Sequence, residues 1–218
     1  MISRQKIWIP RFAVAIGILV LLYLFPLFRV VSLDDANEAS AKASAAKFDP
    51  IVFVDQFWND KLLASKANAV DALALVNEIQ ANPGKVRQAR GRQVGLSQSY
   101  FLTVTGVGRV VSVEKNSVGL AITDQSDEAE VVLESGILFG NTVRDGTGLL
   151  DVNEFQNTQD FNAISTELNR RIEADVLPTL RDIATSGTEI EFSGCAQVSD
   201  ESTDLNPLRV VPFFVEAK

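Results

Sequence analysis

The stretch Leu102-Thr103-Val104-Thr105-Gly106-Val107-Gly108-Arg109-Val110-Val111-Ser112-Val113 places apolar residues two apart, Leu102 with Val104 and later Val111 with Val113. A period of two is that of a half-buried β-strand, and the Gly-Val-Gly in the middle reads as a break between two short ones. The same alternation returns at Val118, Leu120 and Ile122, and at Val131 and Leu133, with turn-forming residues between. This predicts a meander of short strands. From about residue 157 to 185 the period lengthens, with Phe161, Ile164, Leu168, Ile172, Val176 and Leu180 on one face, a cap at Asn157 or Thr158, and a stop at Ser186-Gly187. Pro178 is expected to kink its last turns. Two further strands, Glu189 to Ala196 and Leu208 to Glu216, close the chain, with Pro212 suited to an edge or a bulge. Strands, one long helix, then two strands is the order of a small oligonucleotide/oligosaccharide-binding (OB) type β-barrel. The expected fold class is therefore α+β.

Upstream of the strands, Asp49-Pro50 reads as an N-cap and first helical position, followed by Val54, Phe57, Trp58 and Leu62 at helical spacing. Ala69, Leu73, Val76 and Ile79 form a second run, with Ser65 as a candidate cap and Asn82-Pro83-Gly84 as its end. Residues 49–84 are thus expected as a helical pair packed on the barrel, and residues 85–218 as the β-rich domain. Lys85, Arg87, Arg90 and Arg92 read as a basic, solvated loop between the two, the alternative being a patch that touches anionic lipid headgroups or a phosphorylated ligand.

Phe12 to Val31 is nearly all apolar, interrupted near its end by Pro26 and Arg29, and roughly 20 such residues span a bilayer. Arg4, Lys6 and Arg11 precede it, whereas Asp34, Asp35 and Glu38 follow, so the positive-inside bias keeps the N-terminus in the cytoplasm. Residues 1–33 are expected as a retained anchor in the inner membrane, with the domain on the periplasmic side. Ala43-Ser44-Ala45 has the spacing of a signal peptidase site, but it lies too far beyond the apolar run. Residues 34–48, rich in Ala, Ser and charge, read as a tether.

Charge and composition narrow the chemistry. Four of the 20 basic residues and none of the 28 acidic ones precede Asp34, so the part from Asp34 onward carries a formal −12. Such a surface disfavours a nucleic-acid backbone as partner. The chain has no His, which removes Ser-His and Cys-His nucleophile pairs and the commonest transition-metal ligand. Cys195 is the only cysteine, so there is no intramolecular disulfide or thiolate zinc site, and its strand-like neighbours predict a buried, inert thiol. No cofactor is implied.

Three sets of residues remain as candidates. Asp145, Thr147, Gly148, Asp151 and Glu154 follow the spacing of an EF-hand calcium loop, but Val143 stands at the first ligand position and no entering helix precedes it, so the stretch reads as a Gly/Asp-rich turn. In that turn Arg144 and Asp145 are expected to pair locally or with the barrel rim. Asp145, Asp151 and Glu154 are the acid/base set a carboxylate-based hydrolase would need. Arg144 and Asp145 with Asn157, Gln159, Asn162 and Asn169 supply a guanidinium, a carboxylate and amides suited to sugar hydroxyls or a partner's backbone. Capping or flanking the helix is the competing role for some of the amides.

Phe57-Trp58-Asn59-Asp60-Lys61-Leu62-Leu63, Ala69-Val70-Asp71, Gly106-Val107-Gly108-Arg109-Val110, Gly140-Asn141-Thr142-Val143-Arg144-Asp145, Phe155-Gln156-Asn157-Thr158-Gln159 and Leu168-Asn169 together resemble the DUF2291 family of predicted periplasmic lipoproteins. The resemblance runs from about Phe28 to the C-terminus. Phe28 stands about where those lipoproteins carry the lipidated cysteine, so lipidation is not carried over. The resemblance implies an exported envelope protein, and the frequent placement of family members beside sugar ABC transporters implies an accessory role. The expected function is a non-catalytic binding or adaptor module, contacting a transporter or other envelope protein, or a small sugar-like ligand.

Overall fold

In the computed structural model, which describes residues 48–95 and 97–218, Asp49 caps the first helix, α1 (Pro50–Phe57). Its carboxylate accepts from the Ile51 and Val52 amides at 2.9 and 3.3 Å, and Pro50 supplies the pre-set φ of the first turn. The helix runs into a π-turn, Trp58–Leu62, and a 3₁₀ turn, Ala64–Asn68. Ser65 donates its hydroxyl to the Leu62 carbonyl and caps nothing. Asp71 is the cap of α2 (Ala72–Ala81), accepting from the Ala74 amide at 2.9 Å.

Asn82-Pro83-Gly84 ends α2 and at once begins α3 (Pro83–Arg90), so most of the basic stretch is helical, contrary to the expected loop. The physical reason is that Pro83, which cannot continue a helix, is well placed to open one. The three arginines then part company. Arg90 forks onto Glu78, Arg87 donates to the Gln98 carbonyl over the Tyr100 ring, and Arg92 extends into the short strand β2 (Arg92–Gln93).

The Gly-Val-Gly stretch is not a break. Tyr100–Val113 is one 14-residue strand, β3, which pairs with β6 (Glu189–Val198) over Tyr100–Arg109 and with β4 (Ser117–Ala121) over Arg109–Val113. Glycine is needed there because neighbours approach closely: a Cβ on Gly106 would lie 2.5 Å from Ala72 Cβ of α2. β4 pairs with β5 (Val131–Glu134), β5 runs parallel to β7 (Leu208–Ala217), and β7 pairs with β6, which returns to β3. The pairing is circular. A two-residue strand, β1 (Val70–Asp71), lies parallel to β3. Pro212 pairs with Gly194, where the β6–β7 register shifts, beyond the part of β7 that pairs with β5, so the missing amide falls at an irregularity as expected.

Between β5 and β6 come the short helix α4 (Thr142–Gly146), a 3₁₀ turn (Val152–Glu154), and a long helical segment. Asn157 begins this segment as the cap of α5 (Thr158–Arg171); a π-turn, Ile172–Val176, then leads into α6 (Leu177–Ile183), with Pro178 in its first turn. The expected disturbance is therefore a π-turn just upstream of the proline. Ile164, Leu168, Ile172, Leu177 and Leu180 are fully buried, as are Val104, Leu120, Leu133, Phe192 and Val210 of the strands. α1 packs along α5, and α2 lies on β3. A short helix, α7 (Glu201–Asp204), and a cis Asn206–Pro207 bond connect β6 to β7. Asp49–Lys218 forms one compact unit. No helix among the described residues is long and apolar enough to cross a membrane; the expected anchor Phe12–Val31 and most of the tether lie outside them.

Candidate functional site

Helix α4 is held where it is by close approach. Its last residue, Gly146, lies against Cys195 of β6, where a Cβ would meet Cys195 Cβ at 2.7 Å, and its carbonyl accepts from Thr103 Oγ1 at 3.0 Å. Buried Val143 holds the other side of the turn. This fixes Arg144 and Asp145 at the foot of α5, and both are buried.

Arg144 Nε donates to Asp145 Oδ1 at 2.7 Å and Nη2 to Oδ2 at 3.1 Å, a two-pronged fork. Neighbouring residues on a helix do not normally face each other, so tertiary contacts must fold the arginine back. They are visible: Nη1 donates to the Phe161 carbonyl at 3.3 Å and to Asn162 Oδ1 at 3.1 Å, and the guanidinium lies 3.9 Å over the Phe161 ring. Asn141 Nδ2 also donates to Asp145. With donors on both oxygens, Asp145 serves as the fixed counter-ion of Arg144.

Above this pair opens a cavity of about 740 Å³, bounded by Arg144, Asp145, Phe161 and Asn162 on one side, β2 with Arg92 and Gln93 on another, and the loop of residues 148–154. Arg92 has no carboxylate partner among the described residues, and its guanidinium rests against Gly148, whose φ of +66° suits glycine. A Cβ there would meet Arg92 Nη1 at 1.9 Å. Asp151 and Glu154 line the rim, both exposed; Asp151 Oδ1 is engaged locally by Asn153 through its amide and side chain at 2.9 and 2.8 Å. Leu149, Leu150 and Val152 provide the apolar wall. Among the described residues no cluster of three or more Cys, Asp or Glu is arranged to hold a metal ion.

Of the six residues singled out from the sequence, the structure brings Arg144, Asp145 and Asn162 together. Asn157 is the α5 cap: Oδ1 accepts from the Asp160 amide at 2.8 Å and Nδ2 donates to its carboxylate. Asn169 donates to the Gly140 carbonyl at 3.0 Å beside a different, smaller hollow. Gln159 is exposed and does not border the cavity. Sequence reasoning missed Gln93, and it singled out Arg92 only as one of a basic patch, without placing it at this cavity. Cys195 is fully buried, and burial pushes its thiol up to about 12, matching the inert thiol expected.

A family model described as predicted periplasmic lipoprotein (DUF2291) matches residues 18–216. Among solved structures, the chain is similar to an OB-fold protein (tm0957) from Thermotoga maritima msb8, with 23% identity, a TM-score of 0.68, and coverage of 78% of this chain and 99% of that one. The expected α+β class is thereby shown, with an OB-fold protein as structural neighbour. No curated protein matches the chain.

Proposed function

Because the chain belongs to the DUF2291 family of predicted periplasmic lipoproteins, we propose that it is a non-catalytic binding module of the cell envelope whose ligand, a small polyhydroxylated molecule, occupies the cavity above Arg144. The observation that carries this reading is convergence. Arg144 and Asn162, from two helices, and Arg92 and Gln93, from a strand edge, border one hollow with a partly apolar wall. Planar amides and guanidinium groups on a fixed frame match hydroxyl groups that both donate and accept.

The circular strand pairing supports reading the sheet as a small barrel, and the apolar run Phe12–Val31 supports an anchor in the cytoplasmic membrane with the domain on the periplasmic side. A module so placed suits an accessory of a membrane transporter. The hydrolase alternative finds less support, because Asp145 is engaged as a counter-ion and Asp151 is tied to Asn153.

The deciding experiment is a thermal-shift and calorimetric survey of the detergent-solubilised full chain with neutral sugars, sugar acids and polyols. The expected result is a rise in melting temperature for at least one class, lost in Asn162→Leu and Arg92→Gln. Absence of any shift, or a shift indifferent to both substitutions, would sink this reading.

A further inference from the structure

Residues 135–140 link β5 to α4 and present the two most exposed large apolar side chains of the described part, Ile137 at 75% and Phe139 at 82% exposure. The segment is nevertheless well held. The Ser135 amide donates to the Asn116 carbonyl at 2.8 Å, and Arg181 Nη2 donates to the Ser135 carbonyl. The Leu138 amide donates to Glu173 at 2.6 Å, and the Gly140 carbonyl accepts from Asn169. Leu138 is half-buried between its two exposed neighbours. Two apolar tips are thus kept in water on a braced loop, the arrangement that loses least entropy when a partner covers them.

The surroundings indicate which partner. A hollow of about 880 Å³ beside the loop is bordered by Lys115, Arg181 and Arg209, with Glu134 and Glu173, a local net charge of +1 in a part of the chain that carries −12. The acidic groups are engaged within the protein, Glu134 by Arg209 at 2.6 Å and Glu173 by the Leu138 amide. Among the described residues Lys115 has no ion pair, and Arg181 meets only a neutral carbonyl. Apolar tips beside cations that lack a carboxylate partner are what a protein presents to an anionic lipid surface.

We propose that residues 135–140 form a membrane-contacting ridge, Ile137 and Phe139 entering the boundary between headgroups and acyl chains of an anionic bilayer while Lys115 and Arg181 meet lipid phosphates. The apolar run Phe12–Val31, read as an anchor under the proposed function, would keep the domain near a bilayer. The ridge acts separately from the cavity above Arg144, with which it shares no bordering residue.

The test uses full-length protein carrying Phe139→Cys or Ile137→Cys, labelled with an environment-sensitive fluorophore; buried Cys195 does not compete for the label. The protein is reconstituted into vesicles of phosphatidylcholine with or without phosphatidylglycerol. A blue-shifted emission at both positions, quenched by brominated lipid, is expected with phosphatidylglycerol. It should weaken in high salt and in a Lys115→Gln, Arg181→Gln background, while a label at exposed Leu73 on α2 remains aqueous. Emission that stays aqueous at both positions overturns the proposal. So does ready disulfide formation between the introduced thiols of two copies, which would assign the ridge to self-association.

Discussion

Arg144 and Asp145 are a buried pair, and removing one member leaves the other charge without its partner. Arg144→Ala is expected to cost about 3–5 kcal/mol in chemical denaturation. Arg144→Lys should recover little, since an ammonium cannot form the fork on Asp145 while reaching Phe161 and Asn162. Arg92 differs because it is exposed and has no ion pair among the described residues, so Arg92→Gln should leave the melting temperature nearly unchanged and weaken ligand affinity by about tenfold or more. Titration offers a third check at this scale. Cys195 has its thiol raised to about 12 in the fold from an ordinary 9.0, so below pH 9.0 both folded and unfolded chains keep the proton. Between these values the unfolded chain alone ionises, and stability should fall as pH rises. Cys195→Ala should flatten that alkaline slope in denaturation curves collected across the range.

The elements respond to their ends and contacts. Asn157→Ala removes the α5 cap and should cost about 1 kcal/mol, without the loss of ligand affinity expected at Asn162. Gly146→Ala would drive a methyl into Cys195 and push α4 off β6, at about 1–3 kcal/mol. Because α4 carries Arg144, that variant should also weaken binding, which calorimetry on the still-folded protein would register. The ends of the long helical segment were legible in the sequence, since Asn157 is a strong cap and Ser186-Gly187 a clear stop. The π-turn at Ile172–Val176 was not, because inserting one residue per turn leaves the apolar period almost intact. Nor was the continuity of β3, since Gly106 and Gly108 look like turn residues until Ala72 and Ile122 are seen against them.

For the whole molecule, the unit Asp49–Lys218 contains its own core, with apolar positions from α1, α2, the strands and α5 to α6 all buried within it. A fragment beginning at Phe48 should therefore fold alone and unfold in one cooperative transition by circular dichroism and calorimetry. A broad or biphasic transition would contradict this.

The sequence by itself determined the α+β class, the order of strands and helix, and the family, because alternation, caps and breakers are local properties of the chain. It also pointed to Arg144, Asp145 and Asn162, residue types that seldom lie idle near a glycine-rich turn. Only the tertiary structure decided that Arg92 faces that group across a cavity, that Asn157 and Asn169 serve as cap and brace, and that Ile137 and Phe139 are left uncovered. The reason is physical. Which side chains meet depends on strand pairings between residues as far apart as Tyr100 and Val198, and on the close approach of Gly146 to Cys195, and neither leaves a periodic trace in the chain.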